Sequence, residues 1–417
     1  MEEVKMVNEV LHINDLPLET ILEILLKIDG KTLGGCRRVC KRWREFIDEI
    51  DYLWQEMCRK EFKYSSKIAK RKSGTDCSWY HVYRNLNQWS DLAKFEKNVK
   101  EFYKFNIHDK SHVLDIDYGI LPLKDSKGIV LYDVSTFKYI PAALPEINCL
   151  KIVNNDNVTV VQIKSGLLIQ RSVDTQPPNY VMEEFFKADD FIVSNDILYF
   201  YNNRDIYKCD LSSQNLTPIF ILHCDYDIKD IQHSNNKIHV FTDSGQIVSI
   251  TNSKEVTVKP IKCPIEWIKQ LKYIRAVNDK NFVCYSRNIF KIETDKYQHL
   301  YLEFPLVTAL FFYVDIVLIG TKAGEILLYR LASQKKATLP IFETLATLPE
   351  GKYAVQLDVC ERKTGPTIIV STFFELYLLE INFFPNEPSK KQSFSTNKMH
   401  MYKRLLKLKD RLQGSQV

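Results

Sequence analysis

Nine histidines, ten cysteines and 52 Asp and Glu residues are the groups with which this chain of 417 residues could do acid–base, nucleophilic or metal chemistry. Their spacing argues against all three. The histidines are dispersed and form no HExxH pair, so the two-ligands-and-a-base arrangement of a helical zinc hydrolase is missing. Cys36 and Cys40 lie four residues apart, on neighbouring helical turns, but no second thiol pair or matching histidines complete a zinc set. Asp115/Asp117 and Asp225/Asp227 are the D-x-D pairs that paired-carboxylate hydrolysis would require; at strand or turn positions they read as decoration. No Gly-rich phosphate loop and no G-x-S-x-G elbow is present. The expectation is a protein that is not an enzyme, with no catalytic residue, no metal ligand and no cofactor. What remains is recognition chemistry. Arg204, Arg287 and Lys322 fall in short polar turns, where they could receive a phosphorylated or acidic peptide through charge-assisted hydrogen bonds. Their other reading is that turn residues are charged because turns are solvated.

The charge balance supports recognition of protein rather than nucleic acid. The formal charge is +5, from 57 Lys and Arg against 52 Asp and Glu. Two segments hold the excess: 59–72 (RKEFKYSSKIAKRK), with seven basic and one acidic residue, and 398–411 (KMHMYKRLLKLKDR), with six and one. They supply +11, so the rest sums to about −6 and carries no basic footprint for nucleic acid. No apolar run approaches the roughly 18–20 residues that a membrane span needs, and Leu306 to Gly320, the nearest, is broken by Asp315. The start, MEEVKMVNEV, is acidic and does not read as a secretory signal, so the scattered cysteines read as reduced, buried thiols of a cytoplasmic or nuclear protein.

The residues available for recognition are carried by two kinds of periodicity. From Leu16 onward the apolar residues recur at helical spacing. Pro17 suits a first helical turn and Glu19 suits its dipole; Ile21, Leu22, Leu25, Leu26 and Ile28 cover one face until Asp29-Gly30 ends the helix. Short helical stretches follow around Leu33-Cys36-Arg37, around Val39-Cys40-Trp43-Phe46-Ile47, and from about Asp51 through Leu53, Trp54 and Met57. A unit of about 45 residues has little core of its own, so its leftover apolar face calls for a cover.

After about residue 110, stretches of β-forming residues alternate with polar turns. Seven hairpins, from ILPLKDSKGIVLYDV to TIIVSTFFELYLLEI, have turn centres near 127, 165, 203, 244, 287, 323 and 374. Each is preceded by a short apolar strand, and six are followed by a further β-rich segment. Near-regular units of three or four strands are the sequence sign of a β-propeller, here expected to have seven blades. The last unit lacks an outer strand, which EFYKFNI at 101–107 could supply, closing the ring with strands from both ends.

The helical unit resembles an F-box. The residues that carry the resemblance are Leu16-Pro17 with Glu19, the pair Ile24-Leu25, Leu33, Cys36-Arg37, Val39-Cys40, Trp43 and Leu53-Trp54, in order and at that family's spacing. One departure is Gly34-Gly35 inside the short second helix, each costing about 1 kcal/mol against Ala. The resemblance implies a docking module that packs against the C-terminal helices of a Skp adaptor, and through it a cullin–RING ubiquitin ligase. By position Leu16, Pro17, Ile24, Leu25, Leu33, Val39, Cys40 and Trp43 are the candidates for that interface; each is equally readable as core of the unit. The β-rich half is similar to WD-repeat propellers in cadence alone, without their Gly-His and Trp-Asp dipeptides.

The sequence therefore predicts a multidomain protein: a small all-α F-box at 9–60, a helical linker at 61–100, an all-β propeller at 101–384, and a linker with a basic amphipathic helix at 385–417. The function implied is that of a substrate-recognition subunit of a Skp–cullin–F-box ligase, its propeller binding an unknown protein substrate. The alternative is a non-degradative adaptor or scaffold that uses the propeller to organise a protein complex.

Overall fold

The structure, a computed structural model, describes the chain from Leu16 to Asn382, apart from short internal segments of which 105–115, 262–272 and 331–341 are the longest. Between 273 and 301 it describes the backbone alone. The predicted C-terminal helix and Arg287 lie outside the described residues. The described chain forms two compact units, one helical and one of β-sheets.

The helical unit is built from α1 (Leu18–Leu25), α2 (Gly30–Cys36), α3 (Lys41–Glu49), α4 (Asp51–Glu61), α5 (Ser65–Arg71) and α6 (Trp79–Trp89). Ile21 and Leu25, four residues apart, bring one face of α1 inward. Leu33, Ile47, Leu53, Trp54 and Met57 fill the centre, each 1% exposed or less. The stretch predicted as a linker also contributes core, because α6 buries Val82, Tyr83, Leu86 and Trp89. The Trp54 ring sits 5.0 Å from Tyr80 and 5.3 Å from Tyr83. Residues Glu361–Pro366 belong to this unit by their contacts. Trp89 Nε1 donates to the buried Glu361 carboxylate (2.7 Å), Asn85 Nδ2 to the Arg362 carbonyl (2.9 Å) and Arg84 Nη2 to the Lys363 carbonyl (2.7 Å). A buried carboxylate costs several kcal/mol unless hydrogen-bonded, so the indole N–H answers a need that Glu361 creates.

The β unit is a propeller of antiparallel sheets. Six are four-stranded blades: Cys149–Phe186, Asp190–His223, Ile228–Pro260, Tyr273–Tyr301, Val307–Thr347, and a closing blade of Gln356–Arg362, Gly365–Ser371 and Glu375–Asn382 with Glu96–Lys104 as its outer strand. The spacing of the hairpins predicts seven like blades; among the described residues the structure corrects this to six. The first hairpin, Ile120–Asp125 with Gly128–Asp133, instead makes a three-stranded sheet whose third strand is only Tyr139–Ile140. The outer strand of the closing blade comes from the N-terminal side, as the pattern predicts, but begins at Glu96 rather than 101.

Neighbouring blades pack face to face through apolar side chains. Val158, Val160, Leu167 and Ile169 meet Phe191, Leu198 and Phe200, and Tyr199, Tyr201 and Ile206 meet Ile231, Ile238 and Val240. Period-two alternation cannot show this, since blade strands are buried on both faces and read as continuous apolar runs. Three hairpin turns share one device. The Oγ1 of Thr242, Thr321 and Thr372 accepts from the N–H of Gln246 (3.1 Å), Glu325 (3.2 Å) and Glu375 (2.9 Å). Gly324 has φ +87°, and a Cβ there would lie 2.6 Å from the Lys352 carbonyl, so the position admits no other residue without strain.

Candidate functional site

Polar contacts fix several helices of the small unit, and some apolar side chains face water. Asp29 caps α2, accepting from Thr32 N–H (2.8 Å) and Thr32 Oγ1 (2.9 Å). The Thr32 backbone N–H holds the Asp29 carboxyl below its ordinary range, so the cap stays charged at neutral pH. Cys40 caps α3 through its sulfur, which accepts from Trp43 N–H at 3.4 Å. Arg37 grips Asp48 with two nitrogens, Nη2 to Oδ2 at 2.8 Å, and lies 3.7 Å over the Tyr80 ring. Lys60 Nζ reaches the Leu26 carbonyl at the end of α1 (2.6 Å). Glu61 joins three elements: its Oε1 accepts from Gly30 N–H (2.6 Å) at the start of α2, and its Oε2 from the Tyr83 hydroxyl (2.7 Å) on α6. Burial, reinforced by the Glu61 carboxylate, keeps the Tyr83 phenol neutral.

The structure sorts the eight candidate adaptor residues. Ile24 is 42% exposed, Val39 is 68% exposed, and Pro17 and Cys40 are exposed; Leu16 and Trp43 are half-buried. Leu25 and Leu33, at 2% and 0% exposure, take the core side of the two readings open to each candidate. Periodicity misleads here because it finds the apolar face of a helix without saying which edge of that face the other helices cover. Tyr52 of α4, 54% exposed, belongs with the presented residues, and the sequence pattern around Leu53-Trp54 does not single it out. Its signal was an aromatic one position out of phase with the buried set.

Gly34 and Gly35 are helical, and a Cβ added at either meets nothing within 4 Å. Gly35→Ala should therefore raise the unfolding free energy of the helical unit by about 0.5–1 kcal/mol, read from urea denaturation. His81 carries a pH dependence. It is largely buried, its Nδ1 accepts from Ser78 Oγ (2.7 Å), and burial, with Arg84 nearby, pushes its pKa down to about 4. The folded state thus binds the proton less readily than the unfolded chain. Stability should be full above about pH 6.5 and decline as pH falls toward 4, by up to about 2 kcal/mol given the partial exposure. Thermal melts across that window should show this loss, and His81→Asn, which keeps an acceptor, should flatten it.

On the propeller, Arg204 is occupied. Its Nε is 2.7 Å from Asp227 Oδ1, and its Nη1 donates to the Asp225 carbonyl at 3.1 Å. Of the Asp225/Asp227 pair, the Asp227 carboxylate is thereby the partner of a turn arginine, and Asp225 contributes its backbone carbonyl. Lys322 lies with its Nζ 3.5 Å over the Tyr353 ring. Arg287 is outside the described residues, so the three candidate cations are not seen as one cluster. A cleft of ≈ 220 Å³ between the 190–223 and 228–260 blades is lined by Ile197, Tyr199, Ile221, Ile238 and Ile250, with Lys208 its one charged side chain. Among the described residues no group of three or more His, Cys, Asp or Glu is placed to hold a metal. No disulfide joins the described cysteines, and burial pushes the Cys58 and Cys77 thiols up to about 12. No described helix is long and apolar enough to cross a membrane.

A small helical module with presented apolar residues precedes a β-propeller in the chain. Residues 13–60 match the model of the F-box-like family, and this segment is an F-box-like domain. The chain is also 30% identical over 77 residues to F-box only protein 31-A of Xenopus laevis, across 17% of this chain and 15% of that protein's length. Among solved structures it is similar to Hsv2 of Kluyveromyces lactis (TM-score 0.43, 12% identity, 60% of this chain and 86% of that one). It is similar too to the computationally designed Ika8 protein (TM-score 0.45, 11% identity, 68% and 100%).

Proposed function

We propose that this protein is a substrate receptor of a Skp–cullin–F-box ubiquitin ligase: the F-box-like domain docks to the Skp adaptor, and the propeller holds the protein to be ubiquitinated. The observation that carries the reading is the presence of exposed apolar side chains, Ile24, Val39 and Tyr52, on the very segment that matches the F-box-like family. Large apolar groups left in water by a folded unit favour a protein partner. Pro17, Cys40, Leu16 and Trp43 complete the proposed surface. The receptor contributes proximity and orientation, and the covalent step belongs to the conjugating enzyme. Its place of work is then the cytoplasm or the nucleus.

The test is reconstitution. The full chain, mixed with purified Skp adaptor and then with a cullin–RING complex, should co-elute with both in size exclusion. Failure to bind the Skp adaptor would overturn the reading. Binding to the adaptor with no cullin recruited would replace it with the scaffold alternative.

A further inference from the structure

The hairpin turn of the closing blade breaks the rule its neighbours obey. The chain reverses over Phe373-Phe374, between Thr372, whose N–H donates to the Glu375 carbonyl (2.8 Å), and Glu375, whose N–H donates to Thr372 Oγ1 (2.9 Å). The equivalent turns at 242–246 and 321–325 read Asp-Ser-Gly and Lys-Ala-Gly, the small and polar residues that tight turns favour. Two consecutive phenylalanines serve no turn geometry, and they remain 44% and 47% exposed. Residues that contradict local rules without a folding gain are where function is expected.

They do not stand alone. Tyr353, in the loop entering the closing blade, meets Phe373 edge to face at 5.6 Å, and Phe373 lies 6.4 Å from Phe374. Lys322, from the turn of the 307–347 blade, rests on the other end of this row, its Nζ 3.5 Å over Tyr353. The Lys322 N–H donates to the Leu306 carbonyl (2.8 Å), bringing in a leucine that is 42% exposed. Lys322, Tyr353, Phe373 and Phe374 thus form one row across the turns of two adjacent blades, an aromatic strip with a cation at one end. Its charges are unequal. Lys352 is neutralised by Glu375 (2.7 Å) and also donates to the Tyr377 hydroxyl (2.8 Å). Lys322 has no carboxylate partner among the described residues, in contrast to Arg204 with Asp227.

Resting on the receptor reading, we propose that this strip is where the protein to be ubiquitinated docks, and that it takes a short extended segment carrying an aliphatic or aromatic side chain beside a carboxylate. The aromatic row provides flat area at low entropic cost. The Lys322 ammonium, held over a ring, supplies the single charge to be matched. The assignment moves recognition away from Arg204, whose charge is already met, keeps Lys322, and adds turn phenylalanines that no charge pattern reveals.

The probe is a phage-displayed library of linear random heptapeptides, selected on the immobilised full chain. The expected winners carry Phe, Leu or Ile within two positions of Asp or Glu. A synthetic winner should bind about 10-fold or more weakly to Phe373→Ser/Phe374→Ser in fluorescence polarisation. Selection on Lys322→Glu should exchange the acidic neighbour for Lys or Arg. All these side chains are exposed, so thermal midpoints should be unchanged, and the Lys322→Glu selection gives an independent readout should the Phe pair prove needed for folding. No enrichment, enrichment without an acidic neighbour, or winners indifferent to both variants would overturn the proposal. Skp adaptor binding is measured on the same preparations. Loss of peptide selection with adaptor binding intact refutes the docking strip alone; selection by a chain that never binds the adaptor refutes the receptor reading and leaves the strip standing.

Discussion

Changing Ile24 and Val39 together to Asp should weaken binding of the Skp adaptor by about 100-fold or more, while the thermal midpoint of the free protein moves by no more than about 2 °C. The asymmetry follows from their exposure. At 42% and 68% exposed, these side chains contribute little to the core, and in the free chain two carboxylates there stay hydrated at little cost. In a complex the same carboxylates would be buried against an apolar partner without a counter-charge, an expense of several kcal/mol. Isothermal titration with purified adaptor reads the first quantity and differential scanning calorimetry the second. Undiminished binding would remove Ile24 and Val39 from the proposed surface. The equivalent change at Leu25 or Leu33 would abolish binding by unfolding the unit, and would say nothing about contact.

The second large effect is structural. Gly30→Ala should destabilise the helical unit by about 3 kcal/mol or more. A Cβ at residue 30 would lie 2.3 Å from Tyr83 Cζ and 2.4 Å from its hydroxyl oxygen. The ring must move, and with it goes the bond from the Tyr83 hydroxyl to Glu61, the carboxylate that also holds the Gly30 N–H. One methyl group thereby disturbs the junction of α2, α4 and α6 and leaves a charged group short of donors. Urea unfolding measures the loss; a change below about 0.5 kcal/mol would show that the ring relocates freely. Pairing Gly30→Ala with Tyr83→Ala should be strongly non-additive, because the second change removes the obstacle that the first one meets. The contrast with Gly35→Ala, five residues away on the same helix and expected to stabilise, makes the point that a glycine's role is decided by what stands opposite it.

Two different kinds of information met in this chain. The order of elements was legible in the sequence, since periods of 3.6 and 2 follow from backbone geometry and solvent alone. Residues 16–61 announced helices by that period, and the spaced hairpins announced a propeller whose closing blade borrows a strand from the N-terminal side. The F-box-like segment was legible for a further reason: its marker residues keep that family's order and spacing within one short, contiguous stretch.

What lay beyond the sequence was every choice that depends on a distant neighbour. Leu25 and Ile24 are adjacent, equally apolar residues, yet one is core and the other faces water, because helices arriving later in the chain cover one side of α1 only. The stretch read as a linker became core when α6 set Tyr80 and Tyr83 against Trp54. Arg204 reads from sequence as a binding cation, yet a turn 23 residues away supplies Asp227 to it. The hairpin spacing already sets a turn near Phe373 and Phe374; only the fold brings Tyr353 and Lys322 beside them. Local preference selects the elements, but burial and charge compensation are properties of pairs that the chain brings together from far apart, and those pairs come into being only with the tertiary structure.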